Sequence, residues 1–141
     1  MKRSLPFIIA SSIAALLFAI FAWFQRNDID PQIYHNSSSL DAALWLVFYA
    51  LIAILFIASI FRKIPQWILI VAAIACLVEM ATTGPGLIQN LFGDDKFTMT
   101  QTSMSAEDPR VELTREFFGA VIALLGVVAL WLGQRGKKAV T

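Results

Sequence analysis

The chain holds one cysteine, Cys76, and that scarcity alone excludes an intrachain disulfide and any cysteine-based metal cluster. Charge is nearly as scarce. Only 15% of the 141 residues are charged, and eleven Lys plus Arg against ten Asp plus Glu leave a net charge of +1. With no bulk field of either sign, nothing argues for nucleic acid or for an acidic substrate. No phosphate-cradling glycine loop, zinc spacing, Ser/His/Asp set or Cys/His set occurs, so no catalytic residue, metal ligand or cofactor is assigned. What fills the chain instead is apolar. Hydrophobic residues make up 58% of it, and a mean hydropathy of +0.71 lies far from that of a soluble domain of this size.

A helix needs about 20 mostly apolar residues to cross a hydrocarbon core about 30 Å thick. Four runs qualify: 4–25, 42–61 and 117–134 carry no charge, and 64–93 carries one, Glu79. The shorter, period-two segments of a barrel are missing. The expected fold class is therefore all-α, an integral membrane bundle of four transmembrane helices at about 5–25, 41–61, 64–83 and 109–134 in a single domain, its longer loops at about 26–40 and 93–108. Lys2 and Arg3 ahead of the first run resemble a signal peptide. That run, however, exceeds the usual 7–15 residue apolar region and lacks a clean small-x-small cleavage site, so it reads as a helix. Trp23, Phe24, Trp45, Tyr49, Trp67 and Trp131 lie near run ends and read as interface anchors.

Orientation follows from lysine and arginine near the helix ends. Lys2, Arg3, Arg62, Lys63, Arg135, Lys137 and Lys138 fall on one side, Arg26, Lys96, Arg110 and Arg115 on the other, where every acid except Glu79 also lies. Both termini are expected to be cytoplasmic, with the acidic loops outside, in a cytoplasmic or plasma membrane.

In the first outer loop, Asn27, Asp28, Asp30 and Pro31 favour turns, and Ser38 with Asp41 resembles a capping box opening helix two. Asp28 and Asp30 are spaced to share a cation or ligand, but nothing completes a calcium pattern. His35 reads as a loop residue, and Asn36-Ser37-Ser38 is formally a glycosylation acceptor in a eukaryote. In the second outer loop Phe97, Met99 and Gln101 alternate with threonines as in a strand. Met99 and Met104, without a neighbouring His or Cys, are weak support for copper.

Asp108-Pro109 is a strong helix start. Along helix four, Gly119, Ala123, Gly126 and Gly133 share one meridian, a small-residue stripe that lets another helix approach. Extended outward, the stripe reaches Glu112 and Arg115, with Glu116 at its edge, while Arg110 and Thr114 point away. On helix three, Glu79 shares a small, polar face with Ala72, Ala75, Cys76, Thr82, Thr83, Gly86 and Asn90, opposite Ile70, Ile74, Leu77 and Ile88. A lone carboxylate at membrane depth costs at least about 2.5 kcal/mol, so Glu79 is expected to be protonated, hydrogen-bonded or paired. Gly84-Pro85-Gly86 is expected to break the helix two turns further out. These features converge on an outward-opening pocket bounded by Glu79, Thr83, the break, Glu112, Arg115 and Glu116, with Asn27, Asp28 and Asp30, and Arg115 is the expected partner for a carboxylate.

A first span ending in Gln25-x-Asn27-Asp28-x-Asp30-Pro31, Trp45 and Tyr49 in span two, and Glu112-x-x-Arg115-Glu116-x-x-Gly119 entering span four together resemble the transmembrane protein 220 family, over roughly residues 5–133. Ile29 replaces a Pro of the family pattern, and the loop before span two is longer. The resemblance implies a small four-helix integral membrane protein and no particular activity. The leading reading is a membrane protein without evident catalysis, serving as an accessory or interaction element whose outward polar cluster locks the helices. The alternative is an outward-opening binding site for a small ligand or cation, as in a transporter-like element. Third comes an enzyme acting on a lipid or quinone with Glu79 or Glu116 as base. The expected partners are the lipid bilayer and either a second copy of the chain or another membrane protein. No internal repeat links the two halves.

Overall fold

The computed structural model describes residues 3–95 and 104–135. Its elements are α1 (Leu5–Gln25), α2 (Ser39–Phe61), α3 (Gln66–Phe92) and α4 (Arg110–Arg135). All four are long and apolar enough to cross a membrane. The 21 residues of α1 rise about 31 Å and the 27 of α3 about 40 Å, so α3 overreaches the hydrocarbon. The fold is an all-α four-helix bundle, and the strand expected near Phe97 and Met99 lies outside the described residues.

Local chemistry sets the helix starts. Ser38 Oγ accepts the Asp41 N–H at 3.0 Å and caps α2. Asp108 Oδ1 accepts the Arg110 N–H at 3.2 Å, and the Pro109 carbonyl takes the first α4 bond, from Leu113, at 2.9 Å.

The expected break at Gly84-Pro85-Gly86 does not occur: α3 runs through Pro85 to Phe92, nine residues past the expected end at 83. The reason is tertiary. Gly86 brings the α3 backbone against Leu113 of α4, so close that a Cβ there would collide with the Leu113 side chain. One turn on, buried Asn90 donates to Thr114 Oγ1 at 3.4 Å. Packing of this outer turn against α4 offsets the hydrogen bond that Pro85 cannot donate.

Helix α1 lies closest to α2, and α3 to α4. Aromatic side chains join α1 to α2 and present a ring layer to α4. Phe18 stacks on Phe56 and Tyr49 with ring centroids 5.9 and 6.4 Å apart, and Trp45 and Phe48 continue the layer. Trp45 and Tyr49 are therefore buried core residues, not interface anchors, whereas Trp23, Phe24 and Trp67 are exposed as anchors should be. The glycines of α4 have a different use from the close helix approach expected of them. Gly119 faces Tyr49, Gly126 faces Phe56 and Phe18, and Gly133 faces Phe7. Each is a notch that seats a ring from α1 or α2. Most other large apolar side chains, such as Leu16, Ile54, Ile74 and Leu125, point outward.

At one end the bundle is closed by the short α2–α3 linker, where Ile64 N–H donates to Gln134 Oε1 at 2.9 Å and Arg3 Nη2 donates to the Arg62 carbonyl at 3.0 Å. The α1–α2 loop and the described residues of the α3–α4 loop occupy the other end.

Candidate functional site

The site lies at the long-loop end and begins with how the first loop is held. Asp30 is used locally: its Oδ1 accepts the Gln32 N–H at 2.9 Å and its carbonyl accepts the Tyr34 N–H at 2.9 Å, forming a turn. That turn aims Tyr34 back at Asp28, to which its hydroxyl hydrogen-bonds. The next two residues are clamped to α4. Glu112, 4% exposed, accepts the His35 N–H at 2.6 Å and the Asn36 N–H at 3.3 Å. Ala106 ties the second loop to the first, through its N–H to the Gln32 carbonyl at 3.4 Å and its carbonyl to His35 Nδ1 at 3.2 Å.

Under this roof, between α1 and α4, is a cavity of about 500 Å³. Phe21, Phe24, Tyr49, Phe118, Gly119 and Ile122 form its membrane-side walls. Asp28, Tyr34, Glu112, Arg115 and Glu116 gather at its polar end, joined by Gln25 and Met104. Burial pushes the Asp28 carboxyl above the ordinary carboxylate range, and the Tyr34 hydrogen bond opposes this. Burial also raises the Tyr34 phenol, with the Asp28 hydrogen bond and the charges of Asp28 and Glu112 adding and Arg115 opposing, so that it is pushed up to about 12. Tyr34 therefore stays a neutral donor to Asp28.

Of the residues expected in the pocket, Asp28, Glu112, Arg115 and Glu116 line this cavity, while Asn27, Asp30, Glu79 and Thr83 do not. Glu79 is half-buried on α3, and its carbonyl accepts the Thr83 hydroxyl at 2.6 Å and the Thr82 hydroxyl at 3.0 Å. It remains within electrostatic reach of Glu116, as do Asp28, Asp41 and Glu112. The opening is thus beside α1 rather than at the Gly84 turn. The charged roles on α4 also differ from expectation. Arg110 and Thr114, expected to point away, are buried, Thr114 completely. Arg110 pairs with Asp108 at 2.7 Å with its side chain 8% exposed, and that guanidinium holds the Asp108 carboxyl below its usual range. Arg115, the expected partner for a carboxylate, is exposed, whereas Arg110 forms an ion pair with Asp108. Helix α4 thus buries two faces, its glycine stripe against the rings of α1 and α2 and a second face, with Thr114, against Asn90 of α3, while Glu112 is held by two N–H groups of the loop.

Sequence reasoning missed Phe21, Tyr34 and Tyr49 as lining residues. Tyr34, six residues from Asp28 in a turn-rich loop, and Tyr49, one of the residues shared with the family pattern, carried faint signals; Phe21 looks like any aromatic in a span. Among the described residues no three His, Cys, Asp or Glu side chains are grouped to hold a metal ion.

Comparison with known proteins gives one match. The profile of the family described as transmembrane family 220, helix, matches residues 17–132. No curated protein and no solved structure matches the chain.

Proposed function

Because the chain belongs to transmembrane family 220, and is therefore an integral membrane protein, we propose that it binds a small amphipathic molecule at the long-loop end, outside the membrane, with both termini in the cytoplasm. The single observation that carries this reading is the cavity between α1 and α4, where aromatic walls meet Arg115, Asp28 and Glu116 at one end. Its volume of about 500 Å³ falls in the range of small-molecule sites, about 300–1,000 Å³. A cation with no ion-pair partner among the described residues, beside two carboxylates, suits a head that carries both signs: an anionic group against Arg115 and an ammonium between Asp28 and Glu116, with the tail along Phe21, Phe24 and Phe118. Glu112 is a structural residue in this account, since both its oxygens already hold the loop. Arg3, Arg62, Lys63 and Arg135 at the short-loop end support the orientation.

A second reading, an accessory or interaction role, is favoured by the same clamp. Glu112 and Ala106 fix the two outer loops into one surface that another membrane protein can recognise.

Binding of hexylphosphocholine, below its micelle concentration, to the protein in nanodiscs tests the ligand reading by ligand-observed NMR. Saturable binding is expected, weakened about tenfold or more by Arg115→Gln, consistent with loss of a charge-assisted hydrogen bond of about 1.5–3 kcal/mol. Binding of the same strength in Arg115→Gln, or none in the wild type, would count against the ligand site and leave the accessory role.

A further inference from the structure

The opposite end of the molecule holds a second cavity, of about 320 Å³, between the start of α3 and the end of α4. Lys63, Gln66, Gln134 and Arg135 line it together with Trp131 and Leu69. Three features there call for an anion, and they are independent of the outer site.

The first is charge without counter-charge. Arg3, Arg62, Lys63 and Arg135 gather at this end, and the sequence has no Asp or Glu in 1–27, 42–78 or 117–141. The helices that reach this end thus bring no carboxylate to it. The second is a stranded donor. Gln134 gives its Oε1 to the Ile64 N–H at 2.9 Å, which fixes the carboxamide with its NH2 group on the other side. That Nε2 is shut off from solvent and has no hydrogen-bond partner among the described residues, and Arg3 Nε is in the same condition. A buried donor left in this state costs free energy, which a rotation of the Gln134 side chain toward the cavity it lines would relieve by giving the amide an acceptor there. The third is the N-terminus of α3 itself, capped by Pro65 with no side-chain hydrogen bond and with no acid in the first turn. The Ile68 and Leu69 N–H groups go to the Pro65 carbonyl, the Gln66 and Trp67 N–H groups ahead of them have no helical acceptor, and the helix dipole places positive charge there.

The cavity also continues into the membrane face. A groove of about 140 Å³ between α3 and α4 shares Leu69 and Trp131 with it and is otherwise lined by Ile70, Ala73, Val127 and Val128. A cationic head site joined to an apolar groove of this kind is complementary to a phospholipid, and the charge selects an anionic one. We propose that this end binds an anionic phospholipid, its phosphate held by Lys63, Arg135, the Gln134 amide and the first turn of α3, and one acyl chain lying along the Val127–Trp131 groove.

Native mass spectrometry of the protein released from nanodiscs containing equal phosphatidylglycerol and phosphatidylcholine tests the assignment. The wild type should retain phosphatidylglycerol preferentially. Lys63→Gln with Arg135→Gln should lower that preference about fivefold for each cation removed; both side chains are exposed, so the fold should survive their loss. Gln134→Leu should lower it further, and Arg26→Gln, at the other end, should leave it unchanged. Equal retention of the two lipids, or a preference that persists in the Lys63/Arg135/Gln134 triple variant, would overturn the proposal. Release of the lipid by millimolar inorganic phosphate would reassign the site to a soluble phosphate and overturn the lipid claim.

Discussion

Replacing Gly119 with alanine sets two effects of known size against each other. In an unobstructed helix the change stabilises by up to about 1 kcal/mol, because glycine loses more backbone freedom on folding. Here the new Cβ would fall on the Tyr49 hydroxyl, with Cζ of that ring at 3.1 Å. Tyr49 can yield only toward the outer cavity. It is 4% exposed and has the rings of Phe18, Phe21, Trp45 and Phe48 centred between 5.2 and 6.4 Å away. Overpacking of this kind costs about 1–3 kcal/mol, at least as much as the propensity gain, so Gly119→Ala should destabilise by up to about 2 kcal/mol. Tyr49→Phe removes the obstructing oxygen and leaves Cζ, which needs to move only a few tenths of an ångström. In that background the same alanine should cost little, giving a coupling of about 1 kcal/mol or more in a double-mutant cycle. Reversible unfolding of the four proteins in bicelles measures it. An equal cost in both backgrounds would refute the notch-and-ring account of how the two helix pairs meet, as would a stabilised single variant.

The two glycines of the α3 turn separate in the same assay. Gly86→Ala should lose about 1–3 kcal/mol, because its Cβ meets Leu113, while Gly84→Ala, with Phe117 ring atoms at an ordinary 3.6 Å, should be neutral or stabilising. Glu112→Ala strands the His35 and Asn36 N–H groups; it should cost about 1–3 kcal/mol and speed amide exchange across residues 32–36. Asp108 has a depressed pKa in the folded protein, so the stability from its pair with Arg110 is present above the ordinary value of 3.8 and is lost as pH falls through the lower folded value. Acid titration of stability should show that loss in the wild type and a flatter profile in Asp108→Asn.

Composition and run length determined, by themselves, that this is an all-α protein of four membrane-spanning helices. A hydrocarbon core dictates segment length and forbids exposed backbone polar groups whatever the packing. The caps at Ser38 and Asp108 were equally legible, because they involve residues two or three apart in the chain. Periodicity also identified most of the inward face of α3, with Cys76, Thr83, Gly86 and Asn90 buried and Ile70, Ile74, Leu77 and Ile88 exposed, although Ala72, Ala75 and Glu79 are only half-buried and Thr82 is exposed. Only the tertiary structure decided the rest. Pro85 breaks a helix in isolation but not one whose next turn is packed against Leu113 and Thr114. The glycine meridian of α4 does point into the bundle, but what it meets there, Phe and Tyr rings of α1 and α2 rather than another backbone, and the burial of Arg110 and Thr114 on a second face were not legible. Arg115 and Glu112 are neighbours in sequence but opposite in use, since two N–H groups 76 and 77 residues away take the carboxylate and leave the guanidinium free for the cavity. Such choices depend on which distant groups share a volume too small for all of them, and a pattern of spacings along one chain does not contain that information.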